Sequence, residues 1–364
     1  MSTHRRLSTA LTATAVSTMV CILAIAPLAT AHGDHSEGRR DAPHSTYDWR
    51  ITPTGSGDEF RGIFVVDRRT AWVSGENGTV LRTTDAGASW SDVSPVDAAG
   101  LALRDVEAFD DERAVTLSIG PGADSRIYAT DDGGQSWTET FRNTEPTAFY
   151  DCMAFGPGGR GLALSDPVDG YFRLARTTDY GRTWAVQSDA GMPTAEDGEF
   201  AFAASGTCVV SGPGHTYWFA TGGVDQPRIF RSADGGRSWS ATETRLRGGL
   251  SSGVYSIDFR DPRHGVIVGG DYADEDNGQH AAAVSRDGGR TWELSDVPVS
   301  GYRSGVAYAN GRTVIAVGPN GSDVSFDGGR TWQSFDDDRY DGVQCARSAC
   351  WASGTDGRVA RLNR

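Results

Sequence analysis

From residue 47 onward the chain is written in short runs of alternating apolar and polar residues. Examples are "YSIDF" (Tyr255–Phe259), "GVIVGG" (Gly265–Gly270) and "AAAVS" (Ala281–Ser285). Period-two runs of this length, broken by Gly, Asn-Gly and Asp-Gly, predict antiparallel β-strands joined by tight turns. No stretch after residue 31 carries a helical pattern, so the expected class is all-β. The runs come in groups of four. The third and fourth of each group flank an eight-residue pattern: Ser/Thr, any, Asp, any, Gly, any, Ser/Thr, Trp.

That pattern occurs six times, ending at Trp90, Trp137, Trp184, Trp239, Trp292 and Trp332, with its aspartates at Asp85, Asp132, Asp179, Asp234, Asp287 and Asp327. Successive tryptophans lie 47, 47, 55, 53 and 40 residues apart, a period that suits one four-stranded propeller blade. A seventh blade is implied by what is left over. "CWASGTDGRVARL" (Cys350–Leu362) repeats "AWVSGENGTVLRT" (Ala71–Thr83) but stops before a turn pattern. The strand it lacks is supplied by "YDWRITP" (Tyr47–Pro53). Pairing first strand with last closes the ring and removes exposed sheet edges. The expectation is a single seven-bladed β-propeller over 47–364, closed by an N-terminal strand that completes the last blade. In each turn, Asp and Ser/Thr hold backbone amides, Gly covers a positive φ, and Trp buries its ring between sheets.

The ends change the picture little. Arg5 and Arg6, an apolar run from Val16 to Leu28 and "ATA" at 29–31 read as a cleaved Sec signal over 1–31, too short for a membrane anchor. Residues 32–46 read as a disordered polar linker. The expected location is extracytoplasmic, with no span after cleavage. Loss of Arg5 and Arg6 takes the net charge from −14 to −16, which argues against both nucleic acid and anionic lipid surfaces as general partners. All 34 basic residues are Arg, so no lysine nucleophile or Schiff base is available. Four cysteines remain, in a compartment that oxidises them. Cys345 and Cys350 flank a turn and are expected to pair. Cys152 and Cys208 either pair across neighbouring repeats or stay as buried thiols. With no CxxC, no dinucleotide fingerprint and no metal-ligand spacing, no cofactor or metal is expected.

Three further strings carry little. "GLSSG" (Gly249–Gly253) lacks the strand-before, helix-after setting of a nucleophile elbow. "DEDNG" (Asp274–Gly278) lacks the bidentate Glu of a calcium loop. His32, Gly33, Asp34 and His35 form a copper-chelating start only if cleavage follows Ala31.

Propeller topology puts the turn patterns at the lower face and gathers the starts of the first strands around an upper mouth. Aligning those starts places Arg61, Arg104, Tyr150, Tyr255, Arg303 and Asp341 there, with the fourth blade uncertain near Phe200. The loops between second and third strands add Glu76, Asp166, Asp169, Asp271, Tyr272, Asn320 and Asp323. Arginine forks bind carboxylates and tyrosine rings offer flat faces, so the set Arg61, Arg104, Tyr150, Asp166, Asp169, Tyr255, Asp271, Tyr272 and Arg303 reads as a ligand well. Paired solvated charges around a rim would look the same.

The six-fold turn resembles the Asp-box, or BNR repeat, of sialidases, some xyloglucanases and sortilin, and the resemblance implies a structural role for it. The single ring, the spacing and stretches such as "ALSDPVDGYFRLARTTDYGRTW" (Ala163–Trp184) and "FRDPRHGVIVGGDY" (Phe259–Tyr272) resemble the photosystem II assembly-factor-like propellers, whose bacterial members often carry an oxidoreductase label. That resemblance covers about 47–364. It implies an assembly chaperone with an Arg-lined patch, for which Arg61, Arg104 and Arg303 are the matching residue type. The expected function is an exported, non-catalytic scaffold that recognises a protein or glycan at the upper mouth, as a monomer. The alternative is a secreted, sialidase-like or other glycoside hydrolase using Asp166 and Asp271 as its carboxylate pair.

Overall fold

The alternating runs pair into seven four-stranded antiparallel sheets in a computed structural model that describes residues 47–347 and 349–363. The signal expected over 1–31 and the linker expected over 32–46 lie outside the described residues. Blade 1 comprises strands Phe60–Val65, Ala71–Gly75, Val80–Thr83 and Ser91–Asp92, and five further blades repeat this order. Blade 7 takes Gly342–Ala346, Ala349–Ser353 and Val359–Asn363 from the C-terminal end and Asp48–Ile51 from the other end. Trp49 faces Leu362 across that closure. Its ring is buried against Tyr340, and its Nε1–H donates to Ser322 Oγ of blade 6 at 2.9 Å. The closing strand is therefore bonded within its own blade and packed on the next. Among the described residues no helix is long and apolar enough to cross a membrane.

First strands touch one another all the way round and line the axis. A first strand has one edge without a neighbour in its own sheet, and unpaired N–H groups are costly when buried. Polar side chains of the preceding first strand satisfy several of them. Asp105 Oδ2 accepts from Met153 N at 2.6 Å, Ser256 Oγ from Val306 N at 3.0 Å, and Asp258 Oδ2 from Tyr308 N at 2.7 Å. Gln344 does the same for Val65 N, which links blade 7 to blade 1.

All six turns fold alike. In blade 5, Ser285 Oγ accepts from Gly289 N at 2.8 Å and donates to Asp287. Asp287 then accepts from Thr291 N and Thr291 Oγ1. Gly289 has φ +83°, and a Cβ there would meet Trp218 of the preceding blade at 2.9 Å, so the turn needs glycine for both conformation and space. Each turn tryptophan joins an apolar cluster at a blade seam, as Trp292 does with Trp218, Ile257 and Phe259.

Blade 4 breaks the repeat. Its first strand is only Val209–Gly212; Phe200 still bridges Gly222 of the blade, and residues 201–207 leave the sheet to cross the axis. Ala201 N donates to Asp166 of blade 3, and Phe202 stacks on Tyr255 of blade 5 at 3.8 Å. Ser205 Oγ donates to Ser304 O of blade 6, Thr207 Oγ1 bonds Ser256 Oγ of blade 5, and Gly206 abuts Asp105 of blade 2. One segment thus reaches first strands on opposite sides of the ring and plugs the channel. The extra residues explain the 55-residue spacing before Trp239. Cys208, at the end of the plug, is joined to Cys152 of blade 3. The choice left open for those two cysteines is settled as a disulfide, and Cys345–Cys350 forms as expected.

Candidate functional site

The plug turns the upper mouth into a blind well of about 520 Å³. Phe202, Ala203 and Ala204 are its floor, and Arg61, Arg104, Arg339, Tyr255, Tyr272 and Tyr302 are among its walls. Backbone geometry explains who faces inward. Register shifts fall between Phe60 and Gly62, Leu103 and Asp105, Tyr150 and Cys152, and Val254 and Ser256. The extra residue of each bulge is Arg61, Arg104, Asp151 or Tyr255, and a bulge re-aims its side chain. Asp341, just before the first strand of blade 7, occupies the corresponding place.

Arg61 pairs with Asp341 at 3.1 Å and with Glu59, and Arg104 pairs with Glu76 at 3.0 Å. Arg339 lies 3.6 Å from Glu275. The two central arginines differ. Burial disfavours the charge of Arg61, but Asp341 and Glu59 overcome it and lift its pKa. Burial and then the Arg61 charge push Arg104 down, with Glu76 too weak to compensate. Burial pushes the Asp341 carboxyl up against the pull of Arg61. Arg104 Nε and Asp341 Oδ2 are both buried without a partner, which leaves hydrogen-bonding capacity at the well that a ligand can meet.

The aromatic side is continuous. Tyr255 lies flat on Phe202, edge-on to Tyr302 at 4.7 Å and to Tyr272 at 6.5 Å. Its hydroxyl donates to Ser251 O at 2.8 Å. Burial raises the pKa of Tyr255 and Tyr302, which keeps both neutral. Tyr272 is 52% exposed and stands at the rim. The well offers guanidinium donors on one side and ring faces on the other.

Of the residues singled out from sequence, the structure brings Arg61, Arg104, Tyr255, Tyr272 and Asp341 to the well, with Glu76 paired to Arg104, and places the others elsewhere. Arg303 is fully buried. Its Nε donates to Asp323 at 2.7 Å, and its other nitrogens serve Tyr302 O, Asn320 and Ser300. Arg303, Asp323 and Asn320 form a clamp, not a docking surface. Tyr150 packs in the core on Phe141. Both errors are one-residue slips: the aligned positions are Asp151 and Ser304, and a slip of one reverses a strand side chain. Asp169 sits at φ +53° in the turn before Tyr171 and lines the groove between blades 3 and 4. Asp166 lines a separate cavity with Glu196, Asp197 and Glu199, and burial raises its carboxyl to about 6. Asp271 is held by Ser251 and Arg247. The carboxylate pair proposed for glycoside hydrolysis is therefore not assembled: one acid opens into another cavity and the other is ion-paired.

Sequence reasoning missed Tyr302, Arg339, Glu59, Glu275 and the Phe202–Ala204 floor. Tyr302 lies two residues before Ser304, the position in register with Arg61, so a first-strand alignment passes it by. The floor has no counterpart in other repeats, and only the long blade 4 spacing hinted at it.

No family model matches the chain. The photosystem II assembly protein Ycf48 of Synechococcus sp. (strain JA-3-3Ab) is 28% identical over 201 residues, 43% of this chain and 56% of that protein. The chain thus aligns with little more than half the length of this relative. Among solved structures, YCF48 bound to D1 peptide has a TM-score of 0.63 at 16% identity and covers 87% of this chain and 97% of that one. YCF48 from Cyanidioschyzon merolae gives 0.62 at 18%, covering 86% and 98%. Virginiamycin B lyase from Staphylococcus aureus gives 0.59 at 12%, covering 87% and 99%, and shares the fold alone. The resemblance to photosystem II assembly factors read from the repeats thus stands in both sequence and fold.

Proposed function

We propose that the chain is an exported, non-catalytic scaffold that holds a segment of a protein partner in the blind well. The observation that carries this is the well itself. Arg61, Arg339 and Arg104, the last with an unpartnered Nε, face a tier of tyrosines over a stacked Phe202 floor. An extended peptide presents carbonyls and carboxylates to guanidinium forks and apolar side chains to ring faces. The YCF48 structure bound to a D1 peptide supports a peptide over a sugar. An apolar N-terminal segment and two disulfides support export. The carboxylates at the rim are tied to arginines, which supports binding over acid–base chemistry.

The test is a thermal-shift screen of acidic peptides against oligosaccharides, with Arg104→Ala alongside. A ligand at 100 times its dissociation constant stabilises by about 2.7 kcal/mol. Stabilisation by peptides that disappears in the variant supports the reading. Stabilisation by a glycan that is then hydrolysed would sink it.

A further inference from the structure

The lower face carries a second cavity, of about 270 Å³, in the seam between blades 5 and 6. Arg260, His264, Arg286, Arg312 and Arg330 line it, with Asp327 as the acidic member. In a chain of net charge −14, this concentration of cations is unexpected. The nearby acids are already committed. Asp327 accepts from Ser325, from the backbone N–H of Arg330 and Thr331, and from Thr331 Oγ1. Asp261 accepts from the backbone N–H of Arg263 and His264 and from the His264 ring, and is ion-paired with Arg260 at 3.3 Å. Asp258 is half-buried and accepts from Tyr308 N.

The cations are less committed. Arg286 has no hydrogen bond or ion pair among the described residues. Arg312 makes one long bond, 3.4 Å, to Asp327 O. Arg260 lies over the Tyr308 ring and donates to Gly311 O. The repeat supplies an internal control. Between blades 2 and 3, the residue before the turn aspartate is Asp131, and it pairs with Arg182 of the next turn at 2.6 Å. The same two places between blades 5 and 6 hold Arg286 and Arg330. The attractive pair of the other seam is absent here, and Arg330 pairs with Asp296 instead.

We propose that this seam pocket binds a phosphate group. A phosphomonoester has close to two negative charges and three acceptor oxygens at neutral pH. Guanidinium forks match such an oxyanion in bidentate geometry. It supplies the charge that Asp131 provides in the other seam. The enclosed volume suits a phosphate with a small body attached and excludes a polyanion, which the net charge repels in any case.

The test is isothermal titration of the purified protein at low ionic strength with inorganic phosphate and with a hexose 6-phosphate. Cosedimentation with phosphatidylglycerol and with phosphatidylcholine vesicles runs in parallel. Saturable one-to-one binding in at least one phosphate arm is expected, weakened about tenfold or more in Arg286→Glu and in Arg312→Ala and unchanged in Arg182→Ala. Free phosphate and sugar phosphate identify a soluble ligand; binding confined to phosphatidylglycerol identifies a lipid headgroup. Arg286 is exposed, so its variant should keep the wild-type melting temperature, and Arg312→Ala repeats the test without charge reversal. Absence of binding in every arm, or binding equal in both variants and wild type, overturns the proposal.

Discussion

The aspartates of the six turns and those of the channel carry the same side chain under opposite conditions. In the turns, the hydroxyl and then the backbone N–H of Ser89 hold Asp85 down at about 2, and Ser136 does the same for Asp132. These carboxylates stay ionised although they are half-buried. In the channel, burial lifts Asp105 to about 8 and Asp258 to about 6, although each accepts backbone N–H bonds across a seam. Number and kind of donors decide the first case; dehydration decides the second. The turns solve a local problem six times over. The channel solves a global one once, because first strands and plug must all meet there. Perturbing the channel should therefore cost more than perturbing a turn.

The largest effect is expected at the plug. Cys152–Cys208 closes a sequence separation of 56 residues, and Cys345–Cys350 one of 5. Chain-entropy arithmetic gives about 4 kcal/mol for the first and about 2 kcal/mol for the second. Urea unfolding of the double alanine variants of each pair measures the difference. Equal losses would show that fastening the plug adds nothing beyond a hairpin tie.

Next comes pH. The carboxyl of Asp258 is raised from 3.8 to about 6, so the folded chain keeps a proton that the unfolded chain releases between those values. Its contribution to stability is complete below about pH 4 and is lost as pH rises through about 6, by about 3 kcal/mol at most. Asp105 extends the same loss toward pH 8. The turn carboxylates act in reverse: their contribution is present above about pH 4 and is lost as pH falls through about 2. These groups together place maximum stability near pH 4, with a decline from there toward pH 6 and beyond, and Asp258→Asn should flatten the alkaline side. A wild-type profile flat from pH 5 to 8 refutes the buried-acid account.

A single turn comes third. Ser285 is buried and serves both Gly289 N and Asp287. Ser285→Ala leaves a buried amide without its acceptor, at a cost of about 1–2 kcal/mol. Unfolding midpoints should fall by less than for the Cys152–Cys208 pair. A larger fall would mean that the turns, not the channel, govern cooperativity.

The same contrast explains what the sequence could disclose. Ser285, Asp287, Gly289 and Trp292 are fixed by a local turn, so their spacing recurs and names the fold. Strand closure was legible because Trp49 sits in an orphan run complementary to Val359–Asn363. The well was only partly legible. Arg61, Arg104 and Tyr255 project inward because of bulges, which leave no pattern in a single copy, and Tyr150 and Arg303 were displaced by one position for want of them. Phe202 acts across the ring on Tyr255, and nothing local in "FAFAASG" announces a plug. Arg286 and Arg330 were visible as letters, but only the seam shows that they replace an ion pair.

The smallest effect is expected at that other seam. Asp131 and Arg182 meet at 2.6 Å with side chains 57% and 47% exposed. Water screens both, and holding two long side chains together costs entropy, so such a pair is worth about 0.5 kcal/mol. A double-mutant cycle of Asp131→Ala and Arg182→Ala should return that coupling and lose it in 1 M salt. The weakness of the attractive pair sets the scale for its counterpart. If this geometry yields so little attraction, Arg286 opposite Arg330 costs equally little in repulsion, and the fold tolerates an open cationic pocket at that seam. A coupling above about 1 kcal/mol would mean that seam charges are not well screened. Arg286, placed opposite an arginine already paired with Asp296, would then be a real strain on the ring.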